Sequence, residues 1–381
     1  MVVALGIGLL AAPGTGRATD DTDDTDDTAV IDGWEAALTS AQRLSPPLPT
    51  VTFAFAGDTL VHSPLVARAW ENGRRTRYDF APMFARIAPV VGWADLAVCH
   101  LESPVAPFGE PLSTAPRYGI PGDIAVGLAE AGWDRCSTAS NHSYDRGVGS
   151  IEATVASLTA AGVGQSGMAR NPLERVAPVL DTRGVEVVHL SYTWSLNGMR
   201  LPAERPWLVN LIDPMQIVAD ATDARRRGAE VVIVSLHWGV EKVWQPSSYQ
   251  REVAGAITAS GQVDLVIGHH AHVLQPIEQV NGRWVAFGLG NHLSNMTEGF
   301  GWPASSQDGA LLLVTMHRRA DGTIAVEQPE VVPTWVDRNN GWVVRPVIAD
   351  LADPTTPSGV RAQLMASLAR TRSVVGDFIR E

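Results

Sequence analysis

Cysteine is scarce in this chain: its 381 residues hold two, Cys99 and Cys136. Neither has a C-x-x-C partner or the spacing of a metal finger, which excludes a disulfide framework and a zinc-finger module. Each lies in an apolar run that reads as a strand. Two buried thiols are the expectation, with a single bridge between neighbouring strands as the alternative. Positive charge is also in deficit, with 29 Lys and Arg against 41 Asp and Glu. The one basic triple, Arg225 to Arg227, reads as a helix end, so no feature points to nucleic acid. The apolar stretch within residues 1–18 falls short of the roughly 20 residues that span a bilayer and runs into Gly14 and Gly16. It lacks a basic leading segment. Its length and trailing small residues still predict a cleaved export signal or a residual anchor, and so a secreted or cell-surface location with envelope association through the N-terminus.

Six of the acids stand together between Asp20 and Asp27, about half of the net charge of −12. This Asp/Thr run has no apolar periodicity and too much like charge to pack, so residues 19–48 read as an acidic linker carrying a short helix over Gly33 to Arg43 before Pro46-Pro47. From residue 49 to 347 short apolar runs alternate with helical segments, an α/β signature, and residues 348–381 read as a C-terminal helical extension. Asn281-Gly282, flanked by Ile277 to Val280 and Trp284 to Leu289, is a two-residue hairpin signal. Trp238, Trp244 and Tyr192 read as core.

The apolar runs share a feature. VTFAFAGD ends on Asp58, ADLAVCHLE on Glu102, DRCSTASNH on Asn141-His142, VVIVSLHWG passes through His237, and VDLVIGHHAH ends on His270 and His272. In open α/β sheets the carboxyl ends of strands are where loops converge on a site. Taken singly, Asp58 in Gly-Asp reads as a turn, Glu102 as a solvated strand end and Asn141-His142 as a capping turn. Three imidazoles within four residues after VDLVI gain nothing from packing and suit a metal. Together the five endings supply oxygen and imidazole donors without thiolate, the set for Zn, Mn or Fe.

The succession FAGDTL, DLAVCHLESP, ASNHSYDRG, LHWGVE, VIGHHAHVLQPIE and FGLGN, from about Val51 to Pro346, resembles the CapA-type (poly-γ-glutamate capsule biosynthesis) family of the calcineurin-like metallophosphoesterase superfamily. The resemblance implies a four-layer α-β-β-α sandwich and two divalent metal ions. It makes Asp58 and His272 ligands of one ion, Glu102 the bridging carboxylate, Asn141, His237 and His270 ligands of the other, and His142 the catalytic general acid. The chain departs from the superfamily at Asp58, which is followed by Thr59 and Leu60 instead of Asp-x-His; either His62 substitutes or nothing does. Glu102 replaces a shorter Asp, Ser140 stands where a first Asn is usual, His292 where an aromatic is usual, and His269 where a small residue is usual, which opens a shift of register to His269.

Three functions follow as expectations: an exported dinuclear metallohydrolase acting on a phosphoester, a non-catalytic component that binds or anchors an anionic capsule polymer through metals, and a protein whose histidines only tie loops together.

Overall fold

A computed structural model describes residues 49–380 of the chain. The export segment, the acidic linker and the short helix expected over residues 1–48 lie outside the described residues.

Two sheets carry the fold. The first combines β1 (Thr50–Thr59), β2 (Leu96–Leu101), β3 (Arg135–Ser137), β4 (Gly164–Ser166), β11 (Asn291–Leu293), β12 (Asp308–Arg318), β13 (Ile324–Val326), β14 (Glu330–Asp337) and β15 (Val343–Pro346). Its order is β15-β14-β12-β1-β2-β3-β4, with β11 beside β1 and β13 on β12. The second contains β5 (Leu180–Thr182), β6 (Val185–Thr193), β7 (Val231–His237), β8 (Leu265–His269), β9 (Ile277–Val280) and β10 (Arg283–Ala286), ordered β5-β6-β7-β8-β10-β9. The β1-β2-β3-β4 and β6-β7-β8 runs are parallel, so their carboxyl ends open on the same side of each sheet.

Alternation along the strands sets the layers, because successive side chains face opposite sides of a sheet. Val51, Phe53, Phe55, Leu96 and Val98 of the first sheet pack with Val185, Val187, Val231, Ile233, Leu265 and Ile267 of the second, so the two sheets meet face to face. The opposite face of the first sheet, through Ala54, Ala97 and Leu311, covers the helices Ser63–Asn72 and Ile124–Glu130. The opposite face of the second, through Val188, Val232 and Val266, covers the helices Pro214–Arg226 and Ser248–Ala259. The fold is α/β, and these contacts arrange it as the expected α-β-β-α sandwich.

The hairpin forms at Asn281-Gly282, both in the left-handed region, and places β10 beside β8. Arg225 to Arg227 close the helix Pro214–Arg226. The C-terminal segment holds the helix Ser358–Val375, whose Val360 and Leu364 pack on Trp335 and Val347. Three readings are corrected. Cys99 and Cys136 are joined in a disulfide, not left as thiols, because β2 and β3 pair with these two residues directly opposite, 4.4 Å apart at Cα. The third strand stops at Ser137, and Asn141 and His142 follow on a turn. Trp244 is exposed, whereas Trp238 and Tyr192 are buried.

Candidate metal centre

The rows of side chains between the sheets change character towards the carboxyl ends of the strands. β2 runs Leu96, Val98, His100 and then Glu102; β7 runs Val231, Ile233, Ser235, His237; β8 runs Leu265, Ile267, His269. Every one of these polar groups is buried, and the site rests on this polar end.

Asp58 is near the end of β1. A side chain at Gly57 would collide with the carbonyl of Gly290, so glycine there lets β1 close on the segment that carries Asn291, and Asp58 N donates to Gly290 O at 2.9 Å. Asp58 Oδ2 accepts from His270 N at 3.0 Å and lies 3.1 Å from His272 Nδ1; Oδ1 lies 3.2 Å from His269 Nδ1. Glu102 Oε1 is 3.6 Å from His272 Nε2 and 3.8 Å from His237 Nε2. His237 Nε2 in turn is 2.9 Å from Asn141 Oδ1. Donor atoms of Glu102, His270 and His272 all lie within 4.8 Å of one another, as do those of Asp58, His100 and His237. The six residues Asp58, Glu102, Asn141, His237, His270 and His272 are therefore brought to one place. His270 (φ 88°) and His272 (φ 56°) hold left-handed backbone conformations, which cost a non-glycine residue about 1–2 kcal/mol each. Their surroundings must impose that strain, as is common where side chains are aimed at a ligand.

His142 borders the same place from the cleft side. Its Nδ1 is 2.7 Å from Asp145 Oδ2, which also accepts from Tyr118 N, and Tyr118 meets the imidazole edge-on at 4.7 Å. A carboxylate only accepts, so Nδ1 is the donor and Nε2 is the open nitrogen. A cleft of 490 Å³ opens here, lined by His142, Asn141, His272, Arg117, Glu241 and Trp302 among others.

Electrostatics separates the groups. Burial pushes His100 and His237 well below the ordinary histidine range and His270 to about 3, leaving lone pairs on uncharged rings. His272 goes the other way, to about 9, because the carboxylates of Glu102 and Asp58 outweigh its burial. Burial raises Asp58 too, but the His269 and His272 imidazoles beside it outweigh that and hold the carboxyl well below its usual range. Burial lifts Glu102 well above that range despite His272.

Both carboxylate oxygens of Glu102, Asp58 Oδ1 and the Nδ1 atoms of His269 and His270 are buried without a hydrogen-bond partner among the described residues. Buried polar atoms are nearly always satisfied, and five orphans gathered on four neighbouring residues mark a cation-binding donor set of oxygen and imidazole. The residues fit divalent metal.

A family model described as "Bacterial capsule synthesis protein PGA_cap" matches residues 52–296. The chain belongs to this family. Among PGA_cap relatives, the PGA biosynthesis protein CapA of Bacillus subtilis (strain 168) is 30% identical over 194 residues, 49% of this chain and 47% of that protein. The capsule biosynthesis protein CapA of Bacillus anthracis is 27% identical over 286 residues, 69% of this chain and 66% of that protein. The chain thus spans about half to two thirds of the length of these curated relatives. The solved calcineurin-like phosphoesterase of Bacillus subtilis is 16% identical, with a TM-score of 0.42 over 85% of this chain and 100% of that one. A likeness of that size carries no argument about activity.

Several residues of this PGA_cap site escaped the sequence reading. His100 is in β2 two positions before Glu102, which directly follows that strand, so the period-2 rule places both on the same face. Asp145 three residues after His142, and Asn291, whose Oδ1 is 2.9 Å from His272 Nδ1, are visible only once the loops are folded. His62 does not join the clusters: it is at the cleft rim with Nδ1 3.0 Å from Leu60 O and 3.2 Å from Asn295 N. His269 and His270 both face the site, His269 against Asp58 and His270 with Glu102.

Proposed function

We propose that this PGA_cap protein is an exported dinuclear metallohydrolase of phosphoesterase type, linked to the making of a poly-γ-glutamate-like capsule. The observation that carries the reading is the pair of orphaned Glu102 oxygens, sunk between His237 and His272 with no proton donor of their own. Asp58 and His272 would hold one divalent ion (Mn, Zn or Fe), Asn141, His237 and His270 a second, and Glu102 would serve both. Such a pair of ions supplies Lewis acidity and an activated water for attack on phosphorus. The protein's own part is the rest. His142, aligned by Asp145, lines the cleft, where its Nε2 would give a proton to the leaving oxygen.

Export is supported by the Cys99–Cys136 disulfide, since such bridges persist in oxidising compartments. No helix among the described residues is long and apolar enough to cross a membrane. Envelope attachment is proposed on the sequence of the apolar stretch within residues 1–18 alone.

One observation favours the second reading, a non-catalytic component that binds an anionic polymer. Arg117 is exposed at the cleft with no ion-pair partner among the described residues, and Lys242 is 4.5 Å over the Trp302 ring beside it. Both cations would meet a polyanion.

Elemental analysis of the purified chain, with hydrolysis of a generic phosphodiester, tests the choice. About two ions per chain, loss of ions in His270→Ala, and ions without turnover in His142→Ala are expected. Ions without turnover in the wild type would transfer the site to polymer binding, and a wild type without ions would refute the metal reading altogether.

A further inference from the structure

Resting on the cation site just proposed, one residue that the site does not use as a ligand is tied to it by a hydrogen-bonded wire. His100 Nε2 is 3.0 Å from His237 Nδ1, and His100 Nδ1 is 2.8 Å from Ser137 Oγ, which is 3.3 Å from the carbonyl of Cys99. All three side chains are fully buried. The neighbouring Cys99–Cys136 bridge ties β2 to β3 one pair before His100 and Ser137, which face each other in the strand register. His100 also stacks on His269, ring centres 4.0 Å apart and 12° from parallel. Unlike the five orphaned atoms, neither nitrogen of His100 lacks a partner.

This distinction decides what His100 does. A cation ligand needs a bare lone pair, and the nitrogen of His237 that faces Asn141 Oδ1 at 2.9 Å is Nε2. Either Nε2 carries a proton and donates it to Oδ1, or it is bare and the two atoms are placed as adjacent ligands on one ion. His237 Nε2 is bare only if its proton is on Nδ1, and Nδ1 then requires an acceptor. His100 Nε2 is that acceptor, provided its own proton is on Nδ1 and donates to Ser137 Oγ. Ser137 must then donate to Cys99 O, which only accepts, so every bond of the wire is satisfied in this direction. Run the opposite way, the same wire puts a proton on His237 Nε2, which donates to Asn141 and cannot coordinate.

We propose that His100, backed by Ser137, is a positioning residue that selects the His237 tautomer competent to bind a cation. A ligating histidine generally depends on the partner of its other ring nitrogen, and loss of such a partner weakens metal affinity by about 10–100-fold. His100→Phe keeps a ring to stack on His269 but removes the acceptor; His100→Gln restores an acceptor oxygen without an imidazole.

The test is titration of the full chain with Co(II), read by its visible spectrum, by competition with a chelator for affinity, and by the exchangeable, paramagnetically shifted N–H signals of ligating histidines. The expected result is unchanged ion number in His100→Phe, affinity lower by about 10–100-fold, and loss or rapid exchange of one shifted N–H signal. His100→Gln should recover most of the affinity, and Ser137→Ala, the milder change should the Phe variant not fold, should weaken binding by a smaller factor with the signal broadened. Unaltered affinity and signals in His100→Phe or in Ser137→Ala would overturn the proposal. So would the loss of one whole ion with the spectrum of a missing nitrogen ligand, which would make His100 a ligand itself. A wild-type chain that takes up no cobalt would sink the cation site, and this inference with it; wild-type binding with indifferent variants sinks this inference alone.

Discussion

The space between the two sheets has an apolar end and a polar end, and the same strands build both. Val98, Ile233 and Ile267 fill one end; two to four positions further along, His100, His237 and His269 line the other. Close packing at the first end, where each large side chain contributes about 1.5–3 kcal/mol on burial, offsets what the second costs in orphaned carboxylates and strained histidines. A strand keeps its side-chain direction for its whole length, so the sandwich that aligns the apolar rows necessarily stacks the polar rows at one height.

Changes at each end should therefore behave oppositely. Ile233→Ala, at the apolar end, should lose about 2–5 kcal/mol in urea unfolding while the ion content of the folded protein stays the same. A loss well under 1 kcal/mol would mean that this end is not close-packed. Removing the boundary staple by the joint change Cys99→Ala and Cys136→Ala should cost about 2–4 kcal/mol, matched by reduction of the wild type. Indifference to reductant would show that the bridge does not form.

At the polar end the sign reverses. Glu102→Gln should abolish ion binding yet raise the stability of the metal-free chain by about 1–3 kcal/mol at neutral pH. The sign follows from burial, which holds this carboxyl well above 4.5: above that pH the unfolded chain gives up a proton the folded one retains, so metal-free wild type weakens as pH rises. The Gln variant should lack this slope, and a Gln variant less stable than the metal-free wild type would break the comparison.

The smallest effect is expected at His292, fully buried with neither ring nitrogen partnered among the described residues, stacked on Phe84 at 5.6 Å. Burial lowers it to about 3, so below 6.5 the unfolded chain binds a proton that the folded one refuses, and stability is lost as pH falls towards 3. His292→Phe should gain about 1 kcal/mol at neutral pH and more in acid, seen by thermal unfolding across pH.

Much of this arrangement is legible in the chain. Oxygen and imidazole donors at or shortly after the ends of five strands, the GHHAH run and the Asn281-Gly282 turn each announce themselves locally, because a strand, a turn and a histidine cluster are short-range patterns. The alternation that makes His100 a neighbour of Glu102 is equally local, and was obscured only because a histidine inside an apolar run resembles core. Asp145 beside His142 and Asn291 beside His272 depend on loop geometry and are not.

Sequence by itself determined the α/β class, the family motifs and the kinds of donor available, since these depend on periodicity and residue chemistry. Tertiary structure alone decided that Cys99 meets Cys136, that His62 stays outside the clusters, that His269 turns to Asp58, and that Ser137, His100 and His237 form one wire. Each is a contact between elements far apart in the chain, fixed by strand register and by the face-to-face packing of two sheets, and no local pattern encodes either.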